Sequence, residues 1–77
     1  MNNDYDIILE NLARNVRRLR KAQKKSQLKL SYEADVDRTY IGYIENKKYS
    51  VSLKVLCALA KALKVDVEEL LRKPPEN

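Results

Sequence analysis

Histidine is absent from the sequence, and cysteine occurs only once among its 77 residues. Without these side chains the chain can form neither a Ser–His–Asp triad nor a typical metal cluster. One cysteine cannot close an internal disulfide, and Cys57 stands at an apolar helical position, where we expect a small core or interface side chain. We therefore predict a protein that is not an enzyme, binds no metal or cofactor, and works in the reducing cytoplasm.

Long apolar runs are also missing. No stretch approaches the ~18 residues of a membrane span, and the N-terminal "MNNDYDIILEN" lacks the features of a signal peptide. We expect no contact with a membrane and a single domain over residues 1–77. A domain this small buries only ~60% of its unfolded surface, so its core is marginal and a partner subunit would stabilise it.

Acidic residues are absent between Asn11 and Tyr32, and basic side chains concentrate there. The basic residues of this segment are Arg14, Arg17, Arg18, Arg20, Lys21, Lys24, Lys25 and Lys29. With a net charge of +5 and a pI of about 9.4, this asymmetry favours a polyanionic partner, of which nucleic acid is the usual one. The alternatives are a solvated basic helix face and a membrane-surface helix. The second is the weaker because the basic residues spread around the helix.

Apolar residues at helical spacing predict five short helices and no strands, which is an all-α fold. The first helix extends from about Asp4 to Lys24, with Asn3 or Asp4 as its N-cap. Its apolar stripe toward the core consists of Tyr5, Ile8, Leu9, Leu12, Val16 and Leu19.

Polar side chains mark the starts of the other four helices. The predicted N-caps are Ser26, Asp37, Ser50 or Ser52, and Asp66. The second helix covers 27–34, the third ends at about Asn46, and the fourth covers 53–64. The core face predicted for the fourth helix consists of Leu53, Leu56, Cys57, Ala60 and Leu63. Asp66 and Glu69 match a capping box, and Pro74 and Pro75 end the fifth helix.

The third helix begins with large polar residues, although only Ile41 and Ile44 suit a core. Arg38, Thr39 and Tyr40 occupy its first turn. Two short helices joined by a tight turn, with such a first turn in the second, are typical of the helix-turn-helix, whose second helix enters the DNA major groove. Arginine can donate two hydrogen bonds to guanine, and threonine offers a methyl group to thymine. Tyrosine can donate to phosphate, or its ring can lie half-buried against the next helix.

Residues 14–71 resemble the DNA-binding domain of the lambda-repressor and Cro-like (XRE-type) helix-turn-helix family. The matching pieces are "SQ" at 26–27, "YIGYIEN" at 40–46, "SLKVLCALAKALKV" at 52–65 and "EELL" at 68–71. Within the family, "DRTYI", "IE" and "SVSLKVL" are most similar to the controller proteins of restriction–modification systems. The resemblance implies a compact five-helix fold and a bacterial or phage-encoded transcriptional regulator. Such a protein binds a palindromic operator in double-stranded DNA as a homodimer.

The resemblance also implies roles for individual residues in a helix-turn-helix at about 26–46. The DNA contacts expected from it are Gln27, Arg38, Thr39, Tyr40, Tyr43 and Asn46, with Lys47 and Lys48 as further phosphate contacts. Gln27 would also brace the third helix, and Arg20 and Glu45 match positions that form an internal ion pair. The homodimer would form through residues 52–73, with Val67, Leu70 and Leu71 as the apolar contacts.

The sequence departs from the family at its turns, where relatives often carry glycine. Lys24, Asp35 and Lys47 occupy these positions. A positive φ is allowed for aspartate but strained for lysine, so we expect a different turn geometry at 24 and 47. Tyr49 and Ser50 stand where controller proteins often place Arg and Asn. The alternative functions are a phage or chromosomal repressor and an antitoxin-type protein-binding module, and RNA polymerase is a further candidate partner.

Overall fold

The computed structural model describes residues 4–47 and 50–76, which form five α-helices and no strand. The helices are α1 (Asp4–Ala22), α2 (Gln27–Ala34), α3 (Arg38–Glu45), α4 (Leu53–Leu63) and α5 (Val67–Leu71). α1 packs on α3, α4 and α5, while α2 packs on α3 and α4. The predicted all-α, five-helix fold is confirmed, with α1 ending two residues earlier than expected.

Side-chain caps start three of the helices as predicted. The Ser26 hydroxyl accepts the N–H of the third residue of α2 at 2.9 Å. The Asp37 carboxylate accepts the N–H of the second residue of α3 at 2.8 Å. Ser52, rather than Ser50, caps α4 by accepting the N–H of its third residue at 3.1 Å. Each cap satisfies a backbone donor that has no partner within its own helix.

The capping box predicted at α5 is not formed. The Asp66 side chain accepts no cap hydrogen bond, and the Glu69 N–H donates instead to the backbone carbonyl of Asp66 at 3.0 Å. A helix of five residues has little stability of its own. α5 therefore depends on tertiary packing, and its fully buried Leu70 provides that contact with the core.

Residues in the left-handed conformation follow α1, α2, α3 and α4, although none of them is glycine. Lys24, Asp35, Lys47 and Lys64 have φ between 57° and 61°. The expectation of a different geometry at 24 and 47 was therefore wrong. Beyond α1, the Lys25 N–H donates to the Arg20 carbonyl at 3.0 Å, which satisfies a helix-end acceptor. Lysine has no branch at Cβ, so the conformation is strained rather than forbidden.

All five helices contribute to one core. Its buried residues are Leu12, Val16, Leu30, Ala34, Ile41, Ile44, Leu56, Leu59, Ala60, Leu63 and Leu70. The stripe predicted on α1 enters this core only in its second half. Tyr5 and Ile8, in the first half, are 62% and 45% exposed.

The core face of α4 also differs from the predicted one. Leu53 is 79% exposed and Cys57 is exposed, so neither belongs to the core. Leu59 is fully buried instead. The buried stripe of α4 follows the helical period through 56, 59, 60 and 63, and positions 53 and 57 lie beyond its edge.

None of the helices in the described part of the chain is both long and apolar enough to span a membrane.

Candidate nucleic-acid interface

The first turn of α3 lies on the surface of the molecule. Arg38 and Thr39 follow the Asp37 cap and are exposed. On the other side of the same helix, Ile41 and Ile44 are fully buried. The apolar face therefore anchors α3 while its polar N-terminus stays accessible. A guanidinium and a hydroxyl at such a helix start can reach base edges and phosphates.

The two tyrosines of α3 have different surroundings. Tyr43 is 39% exposed and lies one turn after Thr39 on the same side of the helix. Tyr40 is half-buried and packs against the core, and its hydroxyl donates to the Ser50 carbonyl at 3.4 Å. This geometry matches the half-buried arrangement that the sequence allowed for Tyr40, and its contact with DNA stays a prediction.

Glu45 closes the opposite end of α3 with a buried carboxylate, whose side chain has 0% exposure. Arg20 of α1 donates two hydrogen bonds to this carboxylate, from Nε to Oε2 at 2.7 Å and from Nη2 to Oε1 at 3.0 Å. Gln27 of α2 donates to Oε1 at 3.2 Å, and Arg17 donates to the same oxygen at 3.4 Å. The predicted ion pair is thus formed, and three helices meet at one carboxylate.

Opposing influences act on the ionisation of this group. Burial alone would raise the pKa of the Glu45 carboxyl, but the hydrogen bonds from Arg20, Gln27 and Arg17 and the charge of Arg20 together lower it. The hydrogen bonding of Arg20 to Glu45, and to a lesser extent the charge of that carboxylate, raises the pKa of the Arg20 guanidinium against the effect of its burial. Glu45 therefore stays charged, and the network holds α3 at a fixed position against α1 and α2.

Sequence reasoning missed one member of this network, Arg17, and anticipated another, Gln27. It placed Gln27 at a phosphate and as a brace for α3, and the structure shows its amide donating to Glu45. It gave Arg17 no role beyond net charge. A signal was present, because Arg17 precedes Arg20 by three residues and therefore shares its helix face.

The segment after α3 contains the remaining predicted phosphate contacts. Asn46 is the exposed C-cap of α3, and exposed Lys47 forms an ion pair with Glu10 of α1 at 3.5 Å. Lys48 and Tyr49 lie outside the described residues.

The C-terminal segment is held to α1 by asparagines that the sequence did not single out. Asn15 is fully buried and donates to the carbonyls of Leu70 at 3.0 Å and Arg72 at 2.8 Å. Asn11 donates to the Leu71 carbonyl at 3.0 Å. These bonds satisfy the carbonyl end of α5, which explains how so short a helix keeps its place.

The residues predicted for a dimer contact do not all reach the surface. Leu70 is fully buried, so it packs within its own chain and cannot touch a partner in this conformation. Val67 and Leu71 are half-buried and remain accessible. Leu71 also lines an apolar cavity of about 180 Å³, together with Tyr5, Ile8 and Val51 among others.

Potential metal ligands do not converge anywhere in the described part of the chain. No group of three or more Cys, Asp or Glu side chains in residues 4–47 and 50–76 could hold an ion. The donors that converge at α3, Arg17, Arg20 and Gln27, all bind the Glu45 carboxylate.

Comparison with known proteins gives transcriptional regulators, with controller proteins among them. Residues 16–70 match the family model described as Helix-turn-helix. The control protein C.SmaI of Serratia marcescens is 45% identical, over 83% of this chain and 76% of that protein. The crystal structure of the restriction–modification controller protein C.AhdI from Aeromonas hydrophila superposes with a TM-score of 0.77 at 35% identity, over 80% of this chain and 94% of the other.

A third relative has been solved on DNA. C.Esp1396I bound to a 25 base pair operator site superposes with a TM-score of 0.75 at 28% identity, over 83% of this chain and 88% of the other. The same controller protein has been solved as a tetramer with its natural 35 base-pair operator, and that structure superposes with a TM-score of 0.72 at 26% identity, over 84% of this chain and 96% of the other.

The exposed polar first turn of α3, together with the family match and these relatives, identifies a DNA-binding transcriptional regulator of a family that is not an enzyme family. The chain belongs to the helix-turn-helix family, within the group of regulators that includes the restriction–modification controller proteins.

Proposed function

We propose that this protein is the controller of a restriction–modification system and binds a two-fold symmetric operator as a homodimer. α3 lies in the major groove, with Arg38 and Thr39 toward base edges and Tyr43 beside them. Asn46 and Lys47 meet phosphates at the other end of the helix. The observation that carries the proposal is the contrast within α3, which exposes its polar first turn and locks Glu45 between three donors. The likeness to controllers solved on operator DNA supports it.

The whole chain of 77 residues acts as one domain in this proposal, in the cytoplasm, where operator DNA and RNA polymerase meet. The dimer contact uses the accessible residues of α5, Val67 and Leu71, and the apolar cavity beside them. Two-fold pairing presents two copies of α3 to half-sites whose centres are about 10 base pairs, or a multiple of that, apart.

Selection from a random DNA pool tests the DNA-binding part of the proposal. Bound sequences should share a palindrome, and affinity for it should fall steeply as salt rises, because phosphate contacts release counterions. A pool with no enriched sequence, or binding that ignores salt, would overturn the proposal. The second result would favour a protein-binding module of the antitoxin type.

Sedimentation of the Leu71→Lys variant tests the dimer. The added charge should convert the dimer to a monomer at micromolar concentration. Tyr32→Lys is the matched control, because Tyr32 is 79% exposed on α2, away from the proposed contact. Wild-type protein that sediments as a monomer, with and without DNA, would rule out the dimer.

A further inference from the structure

A cleft between α1 and the end of α3 collects cationic side chains around a carboxylate. Lys47 Nζ lies 3.5 Å from Glu10 Oε1, and Arg14 Nη1 lies 4.0 Å from Glu10 Oε2. Each oxygen of Glu10 therefore faces one cation. All three side chains remain about half exposed, with 50% to 54% of their surface accessible. These contacts are solvated ion pairs, of the kind that contributes little to stability.

Arg17 adds a third cation to the same cleft. The cleft encloses about 200 Å³ and is lined by Glu10, Ala13, Arg14, Arg17, Glu45 and Lys47. Arg17 uses its Nε for Glu45, and its side chain is 49% exposed. A guanidinium carries five N–H donors, so most of those on Arg17 are not engaged by that bond.

The two carboxylates of the cleft differ in what they can do. Glu45 is buried and gripped by Arg20, Gln27 and Arg17, so it is fixed. Glu10 is exposed and, among residues 4–47 and 50–76, is held only by two long contacts, so it can swing away. A phosphate oxygen seeks the same donors as a carboxylate oxygen, and guanidinium groups bind both.

We propose that this cleft is a binding site for a phosphate of the DNA backbone, and that Glu10 fills it in the unbound protein as an internal substitute for that phosphate. The inference rests on the proposed function and adds Arg14 and Arg17 to its DNA contacts. The eight residues of α3 make it about 12 Å long, close to the ~12 Å width of the major groove. While the first turn of α3 reaches base edges, its far end and the cleft therefore lie near the backbone.

Glu10→Gln is the variant that tests this site. Loss of the competing charge should tighten binding about two- to fivefold on cognate and scrambled duplexes alike, since phosphate contacts carry no sequence information. The slope of log affinity against log salt should steepen by about one counterion. The gain should vanish at high salt and should shrink when Arg14→Ala or Lys47→Ala is added.

Glu76→Gln is the matched control. It makes the same charge change and breaks a similar exposed pair, since Glu76 lies 3.6 Å from Lys73 beyond α5. α5 packs on α1 and α4 rather than on the helix-turn-helix pair. Thermal melts should show both variants as stable as the wild type.

Equal affinities for Glu10→Gln and Glu76→Gln, with wild-type protein binding its cognate duplex, would overturn the phosphate site and leave the proposed function intact. Failure of the wild-type protein to bind any duplex would overturn both. A gain confined to the cognate duplex would also contradict the inference, because it would mean that Glu10 affects base reading.

Discussion

The two ends of α3 are opposites in exposure and in connectivity. At the N-terminal end, Arg38 and Thr39 stand on the surface after their cap. At the C-terminal end, Glu45 is buried and receives hydrogen bonds from Arg20, Gln27 and Arg17. The helix is eight residues long, so these environments are only about two turns apart.

This contrast separates two requirements for reading DNA. In the proposed function, the buried end fixes the angle at which α3 leaves the protein, and the exposed end carries the groups that meet the bases. A substitution at the buried end should act through the fold, whereas a substitution at the exposed end should act through recognition.

Glu45→Ala should destabilise the protein most. It leaves Arg20, with 12% of its side chain exposed, without the anion that compensates its burial. Removal of one partner of a buried ion pair typically costs about 3–5 kcal/mol. In a domain of this size that is a fall in melting temperature of more than about 10 °C. Thermal unfolding followed by circular dichroism measures it.

Glu76→Ala is the comparison for that melt, because the Lys73–Glu76 pair is 76% and 80% exposed. Exposed pairs of this kind contribute less than about 1 kcal/mol. The operator affinity of Glu45→Ala, corrected for the folded fraction, should stay near that of the wild type. An unchanged melting temperature for Glu45→Ala would show that the buried end does not support the fold.

The exposed end of α3 was easier to predict from the sequence than the buried end. The exposed end was predictable because Asp37 is a strong cap and the polar residues after it cannot suit a core. The buried end was predictable only as a pair, since a resemblance supplies positions but no network. Contacts such as Gln27 to Glu45 join residues 18 apart, and no periodic pattern encodes them.

Other differences between the predicted and the observed burial of residues also arise from tertiary contacts. Asn15 looked like an ordinary polar residue of α1, yet it is buried because the carbonyls at the end of α5 need donors. Leu53 and Cys57 looked apolar enough for the core but lie past the edge of the buried stripe. Periodicity identifies a helix face to within one residue position, and tertiary packing decides which border residues are covered.

Acidification should weaken the buried end selectively. The folded-state pKa of Glu45 lies below its ordinary value of about 4.3, so its ionisation stabilises the fold above that pH. This stabilisation is lost as pH falls below about 4.3 and through the lowered pKa. Glu45→Gln should therefore be less stable than the wild type at neutral pH and show a shallower loss of stability in acid.

Glu33→Gln is the control for the acid series. The pKa of Glu33 is also lowered, first by a hydrogen bond from Lys25, but its side chain is more exposed. Its removal should flatten the acid profile less than Glu45→Gln does. Chemical unfolding at a series of pH values measures both, and parallel profiles for wild type and Glu45→Gln would contradict the assignment.

Arg38→Ala should change recognition with little change in stability. Loss of a two-bond contact to a base typically costs about 1–3 kcal/mol on the matching base pair and little on scrambled DNA. Lys47→Ala should instead weaken both duplexes equally, as expected for a phosphate contact. Titrations of cognate and scrambled duplexes separate the two, and equal losses on both duplexes for Arg38→Ala would exclude base reading.

Tyr40→Phe should have the smallest effect. It tests whether the Tyr40 hydroxyl serves the fold or contacts DNA. Its ring packs against the core, and its hydroxyl donates to the Ser50 carbonyl over 3.4 Å, a long hydrogen bond. Loss of the hydroxyl should cost less than about 1 kcal/mol in unfolding free energy, because the ring and its contacts remain. Operator affinity should stay within about twofold of the wild type, since an internally bonded hydroxyl adds little to a phosphate contact.

Tyr32→Phe is the control: at a 79% exposed position, it should leave stability unchanged. Unchanged stability together with weakened DNA binding for Tyr40→Phe would assign the Tyr40 hydroxyl to DNA contact. Its removal would then cost a contact made only in the complex.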